Sequence, residues 1–437
     1  MAGTAALTLA LAACGSDTED EPSGEGSGTE ETAEASSESF TNDECAGSAT
    51  SADSFKVGGI LPLTGNLAFL GPPEIAGVGL AVNDINAAGG VNGADACHQI
   101  EDSGESADMS VSTASAGTLL AGKPSVVIGA ASSSVTLNFV DTLADSKITL
   151  VSPAATAVDL SGYSDFFFRT SPPDTIQGQV LGTVISTDGF QKVAFLVFND
   201  TYGTGLRNYV EQTVTGSGGE CVYGCKGDGD EFPAGQTTFS AEVTAALATN
   251  PDAIVILAFD ETKAIVPELA SQGWDMSKTY FSDGNLADYS ADFEPGTLEG
   301  AKGTLPGADA AQEFKDRLSG WYDSAQGEPL KDYSYGAESY DATMLTALAA
   351  IKGGSNESTS VQENMLAVSG ATDGEECNTF EDCVALLEEG KEIRYAGPSG
   401  IGPLNDEHDP SSAFIGIYQF DADNRNQLTQ TVEGSPS

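Results

Sequence analysis

The stretch Ser125–Thr156, SVVIGAASSSVTLNFVDTLADSKITLVSPAAT, constrains the fold of this chain more than any other. Val126, Val127 and Ile128 form a short β-branched run of the kind buried in a parallel sheet. Gly129, Ala130 and Ala131 permit close backbone approach, and Ser132, Ser133 and Ser134 stand where a helix N-cap belongs. Val135, Phe139, Val140 and Leu143 recur at helical spacing, and Ile148 to Val151 is a second buried strand ended by Ser152-Pro153. Ala154-Ala155-Thr156 opens another hydroxyl-bearing turn. Two small-residue turns thus end parallel strands, where open α/β sheets form their ligand crevice. Helix N-terminal amides with hydroxyls beside them favour an anion. Neither turn carries Lys or Arg, so one carboxylate suits them better than a phosphate cluster. The three serines would equally serve as a plain helix cap.

The same rhythm runs through the chain. Phe55 to Leu61 reads as a strand, and Ile75, Val78, Gly79, Val82 and Ile85 share one face of a helix that Gly89-Gly90 ends. A helix over Ala114 to Leu120 precedes the central stretch, and Phe166 to Thr170 is a strand stopped by Pro172-Pro173, a plausible crossover. A second series follows, with helices at Thr175–Ser186, Gly205–Val214 and Ala264–Gln272 and strands at Val193–Phe198, Ala253–Ala258 and Thr279–Ser282. Amphipathic helices at Ala310–Tyr322, Ala337–Ile351 and Val361–Val368 and a strand at Phe414–Phe420 then resume the first series. The pattern predicts an α/β fold with two parallel sheets.

Lys and Arg number 17 against 66 Asp and Glu, a formal net charge of -49. Such a surface repels nucleic acid and anionic membranes, and a salty habitat is one source of such acidity. Residues 1–14, MAGTAALTLALAAC, resemble the end of a bacterial lipoprotein signal peptide, in which a Cys after small residues, here Cys14, takes the lipid. The first Lys or Arg is Lys56, so the basic opening of such a peptide is expected upstream. Residues 15–52 are acidic, base-free and rich in Gly, Ser and Thr, as in a disordered linker.

Six further cysteines, Cys45, Cys97, Cys221, Cys225, Cys377 and Cys383, suggest disulfides in an exported chain. Cys221 and Cys225 form one local pair and Cys377 and Cys383 another, which leaves Cys45 with Cys97. Zinc is the rival reading of CVYGC, disfavoured because His98 and His408 are the only histidines.

In their order, FKVGGILPLTGNLAFLGPPEIAGVGLAVNDINAAGGVNG, VVIGAASSSVT, LVSPAAT, FFFRTSPPDTIQGQ, FLVFNDTYGTGL, ESYDATMLTALAAI and IRYAGPSGIGPLN resemble type I periplasmic binding proteins. The likeness is to the leucine/isoleucine/valine-binding group of ABC importers, over residues 55–425. It implies two Rossmann-like lobes joined by three hinge crossings and closing on a small ligand. The lobes would comprise residues 53–173 plus 303–395 and 174–302 plus 396–437. The resemblance puts the ligand carboxylate on Ser132, or on its neighbour Ser133, with the Ala154 backbone and Thr156. It puts the ammonium on Asp283 of FSDGN and a wall at Tyr202, Phe69 and Phe259. Phe69 stands where relatives carry Tyr, and Asp283 where Glu is usual.

The resemblance further implies a monomeric, lipid-anchored, extracytoplasmic solute-binding protein that carries an amino acid or amide to an ABC permease and its ATPase. A ligand-sensing receptor without transport is the alternative. No enzyme is expected, since the chain has neither a G-x-S-x-G elbow nor a P-loop lysine motif. No cofactor or metal is expected either: Asp228, Asp230 and Glu231 lack full calcium-loop spacing.

Overall fold

The computed structural model describes residues 39–45 and 53–434. Cys14, the leader 1–14 and most of the expected linker lie outside the described residues. The first sheet is wholly parallel, in the order β2-β1-β3-β4-β5. Its strands are β1 (Phe55–Leu61), β2 (Ala96–Asp102), β3 (Val126–Gly129), β4 (Leu150–Ser152) and β5 (Phe167–Arg169). Helices α1 (Gly71–Ala87), α2 (Ser110–Gly122) and α3 (Ser133–Asp145) follow the first three strands. Strand alternation divides the core: Val127 points toward Leu119, Phe139 and Leu143, while Val126 and Ile128 join the α1 side.

After Arg169 the chain enters a second α/β series. It comprises α4 (Asp174–Thr187), β6 (Lys192–Val197), α5 (Thr201–Gly216), β7 (Glu220–Tyr223), α6 (Ser240–Ala248), β8 (Ala253–Leu257), α7 (Thr262–Ser271), β9 (Thr279–Phe281) and β10 (Lys302–Pro306). It then returns as α8 (Gln312–Gln326), α9 (Gly336–Gly353), α10 (Ser358–Ser369), β11 (Glu375–Cys377), α11 (Phe380–Glu388) and β12 (Ile393–Tyr395). α1, α8 and α9 share one core, and Gly77 lets them close: a Cβ there would lie 2.3 Å from the Gly336 carbonyl oxygen. Finally β13 (Ala413–Phe420) and β14 (Asn426–Gly434) add an antiparallel hairpin to the second sheet, ordered β14-β13-β10-β9-β8-β6-β7.

Two expectations need correction. β10 pairs with β9 and β13, so residues 303–306 belong to the second sheet and the second crossing begins at Gly307. The expected disordered linker also contains a docked strap. Phe40 packs beside Gly320, Thr41 accepts from the Trp321 indole at 3.0 Å, and Cys45 N donates to the His98 carbonyl at 2.8 Å. The polar composition of this strap hid the two aromatic contacts and the strand-edge pairing that order it. Disulfides join Cys45 to Cys97, Cys221 to Cys225 and Cys377 to Cys383.

The three crossings meet at the start of α9. Thr170 Oγ1 donates to the Glu338 carbonyl at 2.9 Å, and Ala308 N donates to the Ser399 carbonyl at 3.0 Å. Ser399 N donates to Asp341 at 2.9 Å, and Tyr395 OH donates to the same carboxyl at 2.8 Å.

Candidate functional site

β3 and β4 end side by side, so the turns that follow them converge. Ser132 caps α3, accepting from Val135 N at 3.5 Å, and its hydroxyl also lies 3.2 Å from Ser134 Oγ. Ser133 ties the turns together by accepting from Ala157 N at 3.1 Å. Ala154 N donates to Ser152 Oγ at 3.4 Å. Behind the second turn lies Arg169, fully buried. It pairs with Asp409 at 2.6 Å and donates to the carbonyls of Ala155 and Ala157 at 3.0 and 2.9 Å. A buried guanidinium thus fixes the backbone that presents Thr156.

On the opposite wall β9 delivers Asp283 into a short 3-10 turn. Its carboxyl accepts from Tyr202 OH at 2.6 Å, Gln177 Nε2 at 2.8 Å and Tyr335 OH at 2.8 Å. All three donors are neutral, and among the described residues Asp283 has no ion-pair partner. Burial raises its pKa, opposed by these hydrogen bonds. The Tyr202 ring stacks on Phe259 at 5.5 Å between centroids. Gly284 is required beside them, since a Cβ would come within 2.8 Å of the Phe259 ring.

The cavity enclosed by these walls has a volume of about 10 Å³. Ser132, Ser133, Ala154, Tyr202, Phe259 and Asp283 all line it. Two expected residues do not: Thr156 is buried behind the surface, and Phe69 is half-buried against the second core. The β1–α1 loop instead contributes Leu67 and Leu70, which pack with Tyr202 and Phe259. So small a space admits about one water, and an organic ligand requires these walls to part.

Asp174, at the start of α4, was missed by the sequence reasoning. It is fully buried and neither carboxyl oxygen has a hydrogen bond of good geometry; the same is true of Gln177 Oε1. Burial and then Asp283 drive the Asp174 pKa well upward, against the Thr156 hydroxyl and Arg169. Asp174, Gln177 and Thr156 thus each keep a buried polar atom without a well-placed protein partner. The only sequence signal was an acid directly after the double proline at a crossing.

Residues 54–381 match the periplasmic binding protein family, and the chain belongs to it. It is a type I periplasmic binding protein, and the proteins it is similar to are solute-binding proteins rather than enzymes. A chemotactic signal transduction substrate-binding protein, BasB, of Halobacterium salinarum is 26% identical over 373 residues, covering 82% of this chain and 85% of BasB. The leucine-, isoleucine-, valine-, threonine- and alanine-binding protein of Pseudomonas aeruginosa is 34% identical over 170 residues, 38% of this chain and 45% of that protein. In fold the chain is similar to the leucine-binding protein LivK of Thermotoga maritima, with a TM-score of 0.70 and 20% identity over 86% of this chain and 98% of LivK. It is also similar to the LivJ protein of Streptococcus pneumoniae in complex with isoleucine, with a TM-score of 0.69 and 22% identity over 88% of this chain and all of that one.

Proposed function

We propose that this protein captures an amino acid outside the cytoplasm, between two lobes, and delivers it to an ABC permease with its ATPase. The lobes are residues 53–173 with 307–395, and 174–306 with 396–437. The ligand carboxylate meets Ser132, Ser133 and the Ala154 backbone, and reaches Thr156, buried just behind them, as the walls part. Its ammonium meets Asp283, with Asp174 as the second acid. Its side chain lies against Tyr202, Phe259, Leu67 and Leu70. Cys14 carries the lipid anchor, and the protein acts as a monomer.

One observation carries this reading. Asp283 is a buried carboxyl held by three neutral donors and no cation, across from a hydroxyl-lined turn. Closure around a zwitterion supplies the missing positive charge in a place where water no longer screens it. Calorimetry with a panel of L-amino acids, and with 4-hydroxybenzoate as a carboxylate lacking ammonium, tests it. Asp283→Ala is expected to cost about 2–5 kcal/mol of binding, roughly 30- to several-thousand-fold. Thr156→Ala should cost about 1–3 kcal/mol. Unchanged affinity in Asp283→Ala would remove the ammonium-bearing amino acid from consideration.

A sensing role is the second reading, favoured by the likeness to the BasB protein along most of the chain. Uptake of labelled amino acid and chemotaxis toward it, each measured in a strain lacking this protein, separate the two.

A further inference from the structure

A second cavity shares Tyr335 with the cleft at Asp283. It has a volume of about 380 Å³, within the range that small-molecule sites occupy. One wall is the crossing segment at Gly307 with β13 and β14; the other is the first turn of α9 with the segment that precedes it. Tyr333, Tyr335 and Tyr418 line it, and so does Glu338, which is only 3% exposed. The Glu338 carboxyl is pressed against the crossing: a Cβ on Gly307 would sit 2.3 Å from Glu338 Oε1. Glu338 has no ion-pair partner among the described residues.

The charge around the cavity is unbalanced. Asp309, Asp332 and Glu338 all act on the Tyr418 ring, which burial and these acids together hold above the usual phenol range. Of the two lysines at this place, Lys315 is spent on Asp309, and Lys331 stands exposed at the rim. A buried acid among three tyrosine rings recognises positive charge by Coulomb attraction and by cation–π contact. A metal ion is the poorer fit, since among the described residues no three His, Cys, Asp or Glu side chains gather to hold one.

We propose that this cavity is a second ligand site, taking a small organic ammonium ion, with Glu338 releasing its proton to solvent on binding to become the counter-charge and Tyr333, Tyr335 and Tyr418 as the walls. The counter-charge of this site is not Asp283, although the two sites touch. Tyr335 belongs to both, since its hydroxyl donates to Asp283 while it lines the second cavity.

Thermal-shift and calorimetric titrations with tetramethylammonium chloride test the proposal, with sodium chloride at matched concentration as control. Tetramethylammonium should raise the melting temperature beyond the sodium chloride effect. The excess should persist in Asp283→Asn and vanish in Glu338→Gln. Tyr418→Leu, which leaves the acid in place, should weaken it and serves as the second variant if Glu338→Gln does not fold. A shift that sodium chloride reproduces, or no shift at all, would overturn the site. So would an excess that disappears in Asp283→Asn but survives in Glu338→Gln, because the ion would then be occupying the first cleft.

Discussion

Glu338 makes the stability of this protein depend on pH in a direction opposite to that of most carboxylates. Burial raises its pKa from 4.5 to about 8, with Asp341 adding to the shift. The folded state therefore binds a proton that the unfolded chain releases above pH 4.5. The stabilisation is complete below the unfolded pKa and is lost as pH rises through the folded one. A shift of this size is worth at most about 5 kcal/mol, at roughly 1.4 kcal/mol per unit. Between pH 6 and pH 8 the share lost is about 1–3 kcal/mol. Glu338→Gln removes the titration while keeping the side chain's size. Urea unfolding of the ligand-free protein at pH 6, 7 and 8 reads the difference. The wild type should lose about 1–3 kcal/mol more than Glu338→Gln over that interval. Asp174, also raised by burial, titrates in both proteins and cancels in the comparison, whereas Glu74, raised by burial and then by Glu338 itself, shifts with the substitution and adds to the difference. Parallel pH curves for the two proteins would refute the reasoning, because Glu338 would then ionise alike folded and unfolded.

Arg169→Met should cost about 3–5 kcal/mol in urea unfolding, because it leaves Asp409 buried without its partner. Gly284→Ala should leave the fold intact but weaken amino-acid binding in calorimetry, since the new methyl displaces the Phe259 ring. Replacing Cys45 and Cys97 by Ser opens a link of sequence separation 52 and should lower stability by about 2–4 kcal/mol. Peptide mapping without reduction should return all three disulfides, and a free thiol at any of the six positions would contradict the structure.

Many of the parallel strands, though not β2, β7 or β10, were legible because each carries its own signal. Val126–Ile128 and Ala253–Leu257 are apolar runs with no competing helical period, and they form β3 and β8. β14 was not legible. Its sequence, NQLTQTVEG, is half-exposed at a sheet edge and gains order only by pairing with β13. The small sheet of β11 and β12 escaped for the same reason, with pairing across Glu375–Cys377 and Ile393–Tyr395 that no short window contains.

The site divides along the same line. Ser132 was expected from its own stretch, in the turn after a strand, where an α/β sheet presents chemistry, whereas Asp283 was expected only through the resemblance to the binding-protein family. Leu67, Leu70, Tyr335 and Asp174 were not expected, because what matters about them is which lobe they face. Leu67 and Leu70 rise from the β1–α1 loop yet pack into the core of the second sheet. Tyr335 precedes α9, a helix of the first core, yet its hydroxyl reaches Asp283 beyond β9. Asp174 opens the helix after the first crossing and shares the cleft floor with an acid more than a hundred residues away. Each is a contact made across the hinge, and such contacts carry no local period or cap. A ligand that parts these walls breaks them and must replace them with its own. The apolar portion of the ligand therefore has to match what Leu67 and Leu70 give up against Tyr202 and Phe259. On the proposed reading its polar portion meets Asp283, with the buried Asp174 beside it.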